Sequence, residues 1–281
     1  MIHLSVNLNK IATLRNSRGG EIPSLLEAAN VVITSGAKGI TFHPREDERH
    51  IKRSDIPVMK EFLRSKMGDD DNKIEFNLEG DPSERFLKIA LEFAPEQVTL
   101  VPVKEGEITS DHGFDFSKDW RELEVLISKI KKAKTSRISL FVDLESGDLG
   151  IAKKMGADRV EFYTGPFAHE FEKSGNRNSE LLRAFEGNKN VVMTTFLKNN
   201  PTHANSPLLQ LFHQYCNKAE EALEAGLEIN AGHDLDHENL ILFRHLPGLK
   251  EVSIGHRLIS QSLFWGLEKT VREYVRVLNL Q

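Results

Sequence analysis

The chain has 281 residues, 39% of them hydrophobic and 28% charged, with a net charge of −5. That balance suits a globular protein with a real core and argues against a nucleic-acid surface, which needs a basic face, although a few focused cations can still hold a small anion. The single cysteine excludes an internal disulfide, and no apolar run approaches the ~20 residues of a membrane helix. The first residues run into a strand-like LSVNL with no charged-then-apolar signal pattern, so the cytoplasm is the expected compartment.

Along the chain, short runs rich in β-branched and apolar residues recur, each finishing in a polar or glycine-containing tip. The first four span Leu4–Asn9, Gly39–Arg45, Lys73–Gly80 and Gln97–Val103. The remaining four span Arg137–Asp143, Arg159–Gly165, Leu227–Asp234 and Glu251–His256. Between them lie helical patterns such as SLLEAANVVITSG, SERFLKIALEFA and WRELEVLISKIKKA, several ending at glycine. Strand–helix alternation predicts parallel strands joined by right-handed crossovers, and eight units close a (β/α)₈ TIM barrel in one domain over residues 1–281. An open doubly wound sheet is the rival, but no G-x-G-x-x-G follows a strand. From Pro166 to Gly226 the chain is longer than one crossover helix requires. Its polar, Asn-rich part reads as an insertion between strands six and seven. The VVMTTFL core is either an extra strand or a helix turn, and its expected role is surface decoration or an oligomer contact.

In such a barrel all strand C-termini share one face, so Asn7, Asn9, Lys10, His43, Arg45, Glu79, Glu161, His233 and His256 should converge there. Any one of them could merely cap a loop, but the set argues for a site. Arg15 and Arg18, beside Gly19-Gly20, suit bidentate phosphate contact, or else form a solvated basic loop. In HPREDERH, His43 suits acid–base work, Arg45 and His50 could hold a phosphate or hydroxyl, and Glu46 to Arg49 read as a solvated loop. Glu79 could shuttle protons with a raised pKa. The stretch Val101–Gly113 reads as a mobile lid from which Thr109 or Ser110 could donate a hydrogen bond. In NAGHD and SIGH, Gly232 and Gly255 leave room for phosphate to meet backbone N–H groups. Cys216, in an amphipathic helix over Phe212 to Ala219, reads as a buried inert thiol.

Together VNLNKIATLRNSRGG, GITFHPREDERHI, NLEG, VTLVP, EFYTG, INAGHD and SIGH resemble, in order from Ser5 to about Leu267, the signature of the pyridoxine 5′-phosphate synthase family. The resemblance implies a barrel with extra helices, assembled as a homo-octamer. The implied reaction is a ring-forming condensation of 3-amino-2-oxopropyl phosphate with 1-deoxy-D-xylulose 5-phosphate to pyridoxine 5′-phosphate, inorganic phosphate and water, needing no metal or organic cofactor. It implies His43 and Glu79 as proton acceptors, His233 as proton donor and Glu161 as transition-state stabiliser. It further implies Asn7, Arg18 and Gly255-His256 as contacts to the amino-ketone phosphate, and Arg45, His50 and Thr109 as contacts to the deoxyxylulose phosphate. Asn9-Lys10 stands where Asp-His is usual in the family, Asp234 where Gly follows the seventh-strand histidine, and Tyr163 where His is frequent. Asn9 and Lys10 keep substrate contact and add positive charge, and Asp234 contributes its backbone N–H. An aldolase with Lys10 as Schiff-base lysine, or a binding homologue without turnover, are the rival functions.

Overall fold

The inner layer of the computed structural model, which describes residues 1–66, 73–103, 111–118, 120–133, 136–175, 178–186, 191–203 and 205–280, is made by the runs with strand chemistry. They are β1 (His3–Asn7), β2 (Gly39–Phe42), β3 (Glu75–Gly80), β4 (Gln97–Leu100), β5 (Arg137–Val142), β6 (Arg159–Tyr163), β7 (Glu228–Gly232) and β8 (Leu249–Ile254). All pair in parallel in sequence order, and β8 returns to β1, closing a barrel without free edges. Each strand therefore starts at one end of the barrel and finishes at the other, which is why distant tips meet.

Helices α1 (Asn9–Asn16), α2 (Leu25–Thr34), α3 (Asp55–Lys66), α4 (Glu84–Phe93), α5 (Arg121–Lys132) and α6 (Leu149–Lys154) follow the first five strands. Local chemistry starts several of them: Ser24 Oγ accepts from Glu27 N, Ser83 Oγ from Phe86 N, and an Asp148 oxygen from Gly150 N. One apolar stripe of each then packs on the barrel, as Phe86, Leu87, Ile89 and Ala90 do in α4. After β6 come α7 (Gly165–Ser174), α8 (Asn178–Glu186), α9 (Met193–Asn199), a 3₁₀ turn and α10 (Pro207–Glu224). The long α10 contacts β7 and is the crossover, so the extra length is helical and the VVMTTFL core turns into α9 rather than a strand. The chain ends in α11 (Leu240–Phe243), α12 (His256–Trp265) and α13 (Leu267–Leu278). Among the described residues no helix is long and apolar enough to cross a membrane. Cys216 is buried in α10, and burial pushes its thiol up to about 12, so it stays protonated and inert.

Apolar strand residues such as Leu4, Val6, Ile40 and Phe42 face the helices and are buried. The barrel interior is instead polar, where barrels commonly stack branched aliphatics. Ser5 and Thr41 hydroxyls lie 2.9 Å apart, Asn77 Nδ2 donates to Thr41 Oγ1 at 3.3 Å, and Thr99 Oγ1 donates to Asn77 Oδ1 at 3.1 Å. At the strand starts, Arg137 pairs with Glu75, and Arg159 lies 2.7 Å from Glu228 and 3.6 Å from Glu251.

Candidate active site

At the C-terminal mouth of the barrel lies a cavity of about 460 Å³. The β1 end and α1 supply Asn7, Asn9, Lys10 and Thr13; the segment after β2 supplies His43, Arg45, Arg49 and His50; β3 supplies Glu79. Glu161 rises from β6, His233 and Asp234 follow β7, and Ser253, Gly255 and His256 come from β8 and the start of α12. The sequence-predicted convergence is thus realised for twelve of the fourteen candidate residues. Arg18 is exposed on the turn after α1 and does not line the cavity. Thr109 and Ser110 lie outside the described residues.

Asn7 organises the floor. Its Oδ1 accepts from Asn9 N at 3.0 Å, and its Nδ2 donates to Glu79 Oε2 at 3.2 Å. The same Glu79 oxygen is 3.9 Å from His43 Nδ1, and Asn9 Oδ1 accepts from His43 N at 3.1 Å. The Glu79 and His43 side chains keep only 13% and 12% of their surface exposed. Burial raises the Glu79 carboxyl to about 7, against the pull of His233. Burial, with the neighbouring His50 and Arg45, lowers His43 to about 3. At neutral pH the imidazole is therefore neutral while the carboxyl is poised between its two forms.

Glu161 is 2% exposed, its Oε2 has no hydrogen-bond partner among the described residues, and burial together with Glu79 and Glu251 holds its pKa well above the usual carboxylate range. A carboxyl kept protonated in this way can donate to an oxygen that gains charge. The glycine at 232 is what admits it: a Cβ there would lie 2.2 Å from Glu161 Oε1. Gly255 likewise lets Asn7 approach, since its Cβ would lie 3.1 Å from that of Asn7.

The opposite wall is cationic. His50 Nδ1 accepts from Ile51 N at 2.9 Å, so its hydrogen sits on Nε2 as a donor, and burial with Arg45 and Lys10 lowers its pKa to about 4. Lys10 lies in the first turn of α1. Arg49, expected in a solvated loop, lines the cavity while bridging to Asp47 at 2.5 Å. Nothing in its local sequence distinguishes it from its charged neighbours. Phe141 and Ser253 also line the wall without having been singled out; the signal available was only their place near strand ends. Arg15, a phosphate candidate from sequence, is instead structural. Its guanidinium is buried, forks onto Asp55 of α3 at 2.7 and 2.9 Å, and donates to His50 O. Asn16 Nδ2 donates to the same carbonyl at 2.6 Å. The backbone N–H groups at the start of α12, beside Gly255 and His256, complete a wall suited to an anion.

A closed parallel barrel with acid–base groups and cations at its C-terminal mouth is the architecture of (β/α)₈-barrel enzymes. Known folds agree: a mutant tryptophan synthase α-subunit from Pyrococcus furiosus matches with a TM-score of 0.56 at 10% identity, covering 99% of this chain and 96% of that one. A 4-hydroxy-2-oxoglutarate aldolase matches with a TM-score of 0.55 at 14% identity over 98% and 94%. The particular family is given by sequence: the chain belongs to the PdxJ family, whose model, described as pyridoxal phosphate biosynthesis protein PdxJ, matches residues 4–280. A relative named pyridoxine 5′-phosphate synthase from Leptospira biflexa is 46% identical over 100% of this chain and 98% of its own. Another of that name, from Christiangramia forsetii, is 43% identical over 99% and 100%.

Proposed function

We propose that this cavity is the active site of a pyridoxine 5′-phosphate synthase, joining 3-amino-2-oxopropyl phosphate to 1-deoxy-D-xylulose 5-phosphate and releasing pyridoxine 5′-phosphate, inorganic phosphate and water. The observation that carries the reading is the pairing of Glu79, at about 7, with a neutral His43 3.9 Å away, beneath a cationic wall. The condensation needs an imine, loss of phosphate, and gain and loss of water before the ring is aromatic. Each step moves protons, and each acid or base can contribute ~10²–10⁴ in rate.

In this reading His43, with its lone pair available at neutral pH, and Glu79 in its ionised form accept protons. His233 donates one, and protonated Glu161 steadies developing negative charge. Asn7, Gly255, His256 and the backbone N–H of Asp234 hold the amino-ketone phosphate. Asn9, Lys10, Arg45 and His50, with Thr109, hold the deoxyxylulose phosphate. Arg18, exposed and outside the cavity lining, is given no phosphate contact in this reading. No metal or organic cofactor is required, the assembly is an octamer, and the location is cytosolic.

The test is direct. Purified protein given both substrates should form the fluorescent pyridine product at a rate unchanged by a chelator, and light scattering should give the mass of eight chains. Calorimetric binding of either phosphate compound without product would mark a binding protein and overturn the reading.

A further inference from the structure

Two successive residues at the end of β7, neither of them glycine, sit in the left-handed region: His233 at φ 81° and Asp234 at φ 52°. L-residues adopt this conformation rarely, and it persists where the surroundings over-determine it. Here they do. Thr164, fully buried, donates from its N at 3.0 Å and its Oγ1 at 2.8 Å to Gly232 O, and its hydroxyl also reaches His233 O. Asn239, also buried, donates from Nδ2 to Asp234 O at 3.2 Å. The locked turn brings Asp234 Oδ2 to 3.3 Å from His233 Nδ1 and sets the imidazole edge-on to Tyr163, with ring centroids 5.3 Å apart at 77°. Phe141 stands off the same ring at 6.5 Å.

A carboxylate has acceptors only, so the hydrogen between this pair belongs to the imidazole. We infer that Asp234 is a positioning residue for His233: its carboxylate holds the ring with the hydrogen on Nδ1 and so assigns proton exchange with a ligand to Nε2. The inference rests on the proposed reading only in giving that exchange a reaction to serve. The hydrogen bond to His233 keeps the Asp234 carboxyl below its usual range, so it remains charged at neutral pH. Among the described residues, titratable groups around the ring include Tyr163 on β6, Glu79 on β3, Glu161 beside Gly232, Asp111 near Tyr163, and His256 of α12 near Asp234. Asp234 is in hydrogen-bonding contact with the ring at Nδ1.

The experiment uses the full chain with ¹⁵N-labelled histidine, the His233 signals being assigned with His233→Gln. In the wild type the neutral ring should carry its hydrogen on Nδ1. Asp234→Asn, whose amide can turn its NH₂ group to Nδ1 as readily as its oxygen, should lose the fixed tautomer and lower kcat by more than about tenfold. Asp234→Gly, which suits the backbone, should mix the tautomers and lower kcat about tenfold with KM within about twofold. A wild-type ring with its hydrogen on Nε2, or one whose hydrogen stays fixed on Nδ1 in either variant, would overturn the inference. The spectrum needs no substrate, so a wild type that forms no product would defeat the functional reading while the tautomer is judged separately.

Discussion

The two ends of the barrel give their acids different partners. At the strand starts, carboxylates meet guanidinium groups: Glu75 pairs with Arg137, while Glu228 and Glu251 share Arg159. At the strand ends, Glu79 and Glu161 meet an amide, an imidazole without charge at neutral pH, and each other. Arginine never gives up its proton, so Glu75 and Glu228 at the lower end face fixed positive charge, while Glu251, raised to about 8 by burial and Glu75, keeps its proton with Arg159 nearby. The upper end is neutralised by taking up protons, and a group that takes up a proton near neutral pH can also pass it on. Acids that hold the barrel together thus differ from acids equipped for chemistry in having a guanidinium beside them.

Exchanging the groups at either end tests this contrast. The largest effect is expected at the mouth, where Glu79→Gln and His43→Ala should each lower kcat by ~10²–10⁴ while the circular-dichroism spectrum and melting temperature show a folded protein. Near-normal turnover in both would remove the mouth's claim to the chemistry. At the base, Arg159→Ala should destabilise by about 3 kcal/mol in denaturant titration and leave kcat per folded molecule unchanged. The loss falls at the low end for breaking a buried pair because Glu251, raised to about 8 by burial and Glu75, keeps its proton.

The pH dependence sharpens the same division. If ionised Glu79 is the acceptor, kcat/KM should rise with pH through a limb near 7; a limb near 4.5 would show that another group titrates. For stability the sign follows from the folded-state pKa lying above the unfolded value. Burying Glu79 uncharged is harmless below about 4.5 and costs stability as pH rises from there to about 7. His43 acts oppositely: its neutral form is favoured above 6.5, and stability falls as pH drops from 6.5 toward 3. Urea midpoints across pH 4.5 to 7 should therefore fall less steeply with rising pH in Glu79→Gln than in the wild type. The smallest effect belongs to Asp234→Gly, which relieves a left-handed residue and should gain up to about 1 kcal/mol in denaturant titration, even as turnover drops.

Much of this was legible in the sequence because a barrel turns local pattern into position. Each strand run carries its tip residue to the same mouth, so His43, Glu79, Glu161 and His233 could be gathered without long-range information. What could not be read depends on partners far along the chain. The role of Arg15 is decided by Asp55, forty residues on, and Arg15 looks from its neighbours like the phosphate ligand it is not. Arg49 stands among charged residues of identical appearance, and only the curl of the segment after β2 brings it to the wall. The strained turn at Asp234 leaves no mark in composition at all, since its cause is a hydroxyl on Thr164 and an amide on Asn239.

The Arg15 fork has a mechanical consequence. By gripping Asp55 and, with Asn16, the carbonyl of His50, it rivets the helix that carries Lys10 to the segment that carries Arg45 and His50. Those cationic groups therefore travel as one plate. A lesion at this rivet, outside the wall of the cavity, should loosen every grip on that side at once, and a screen for weakened ligand capture would find it among residues no ligand ever meets.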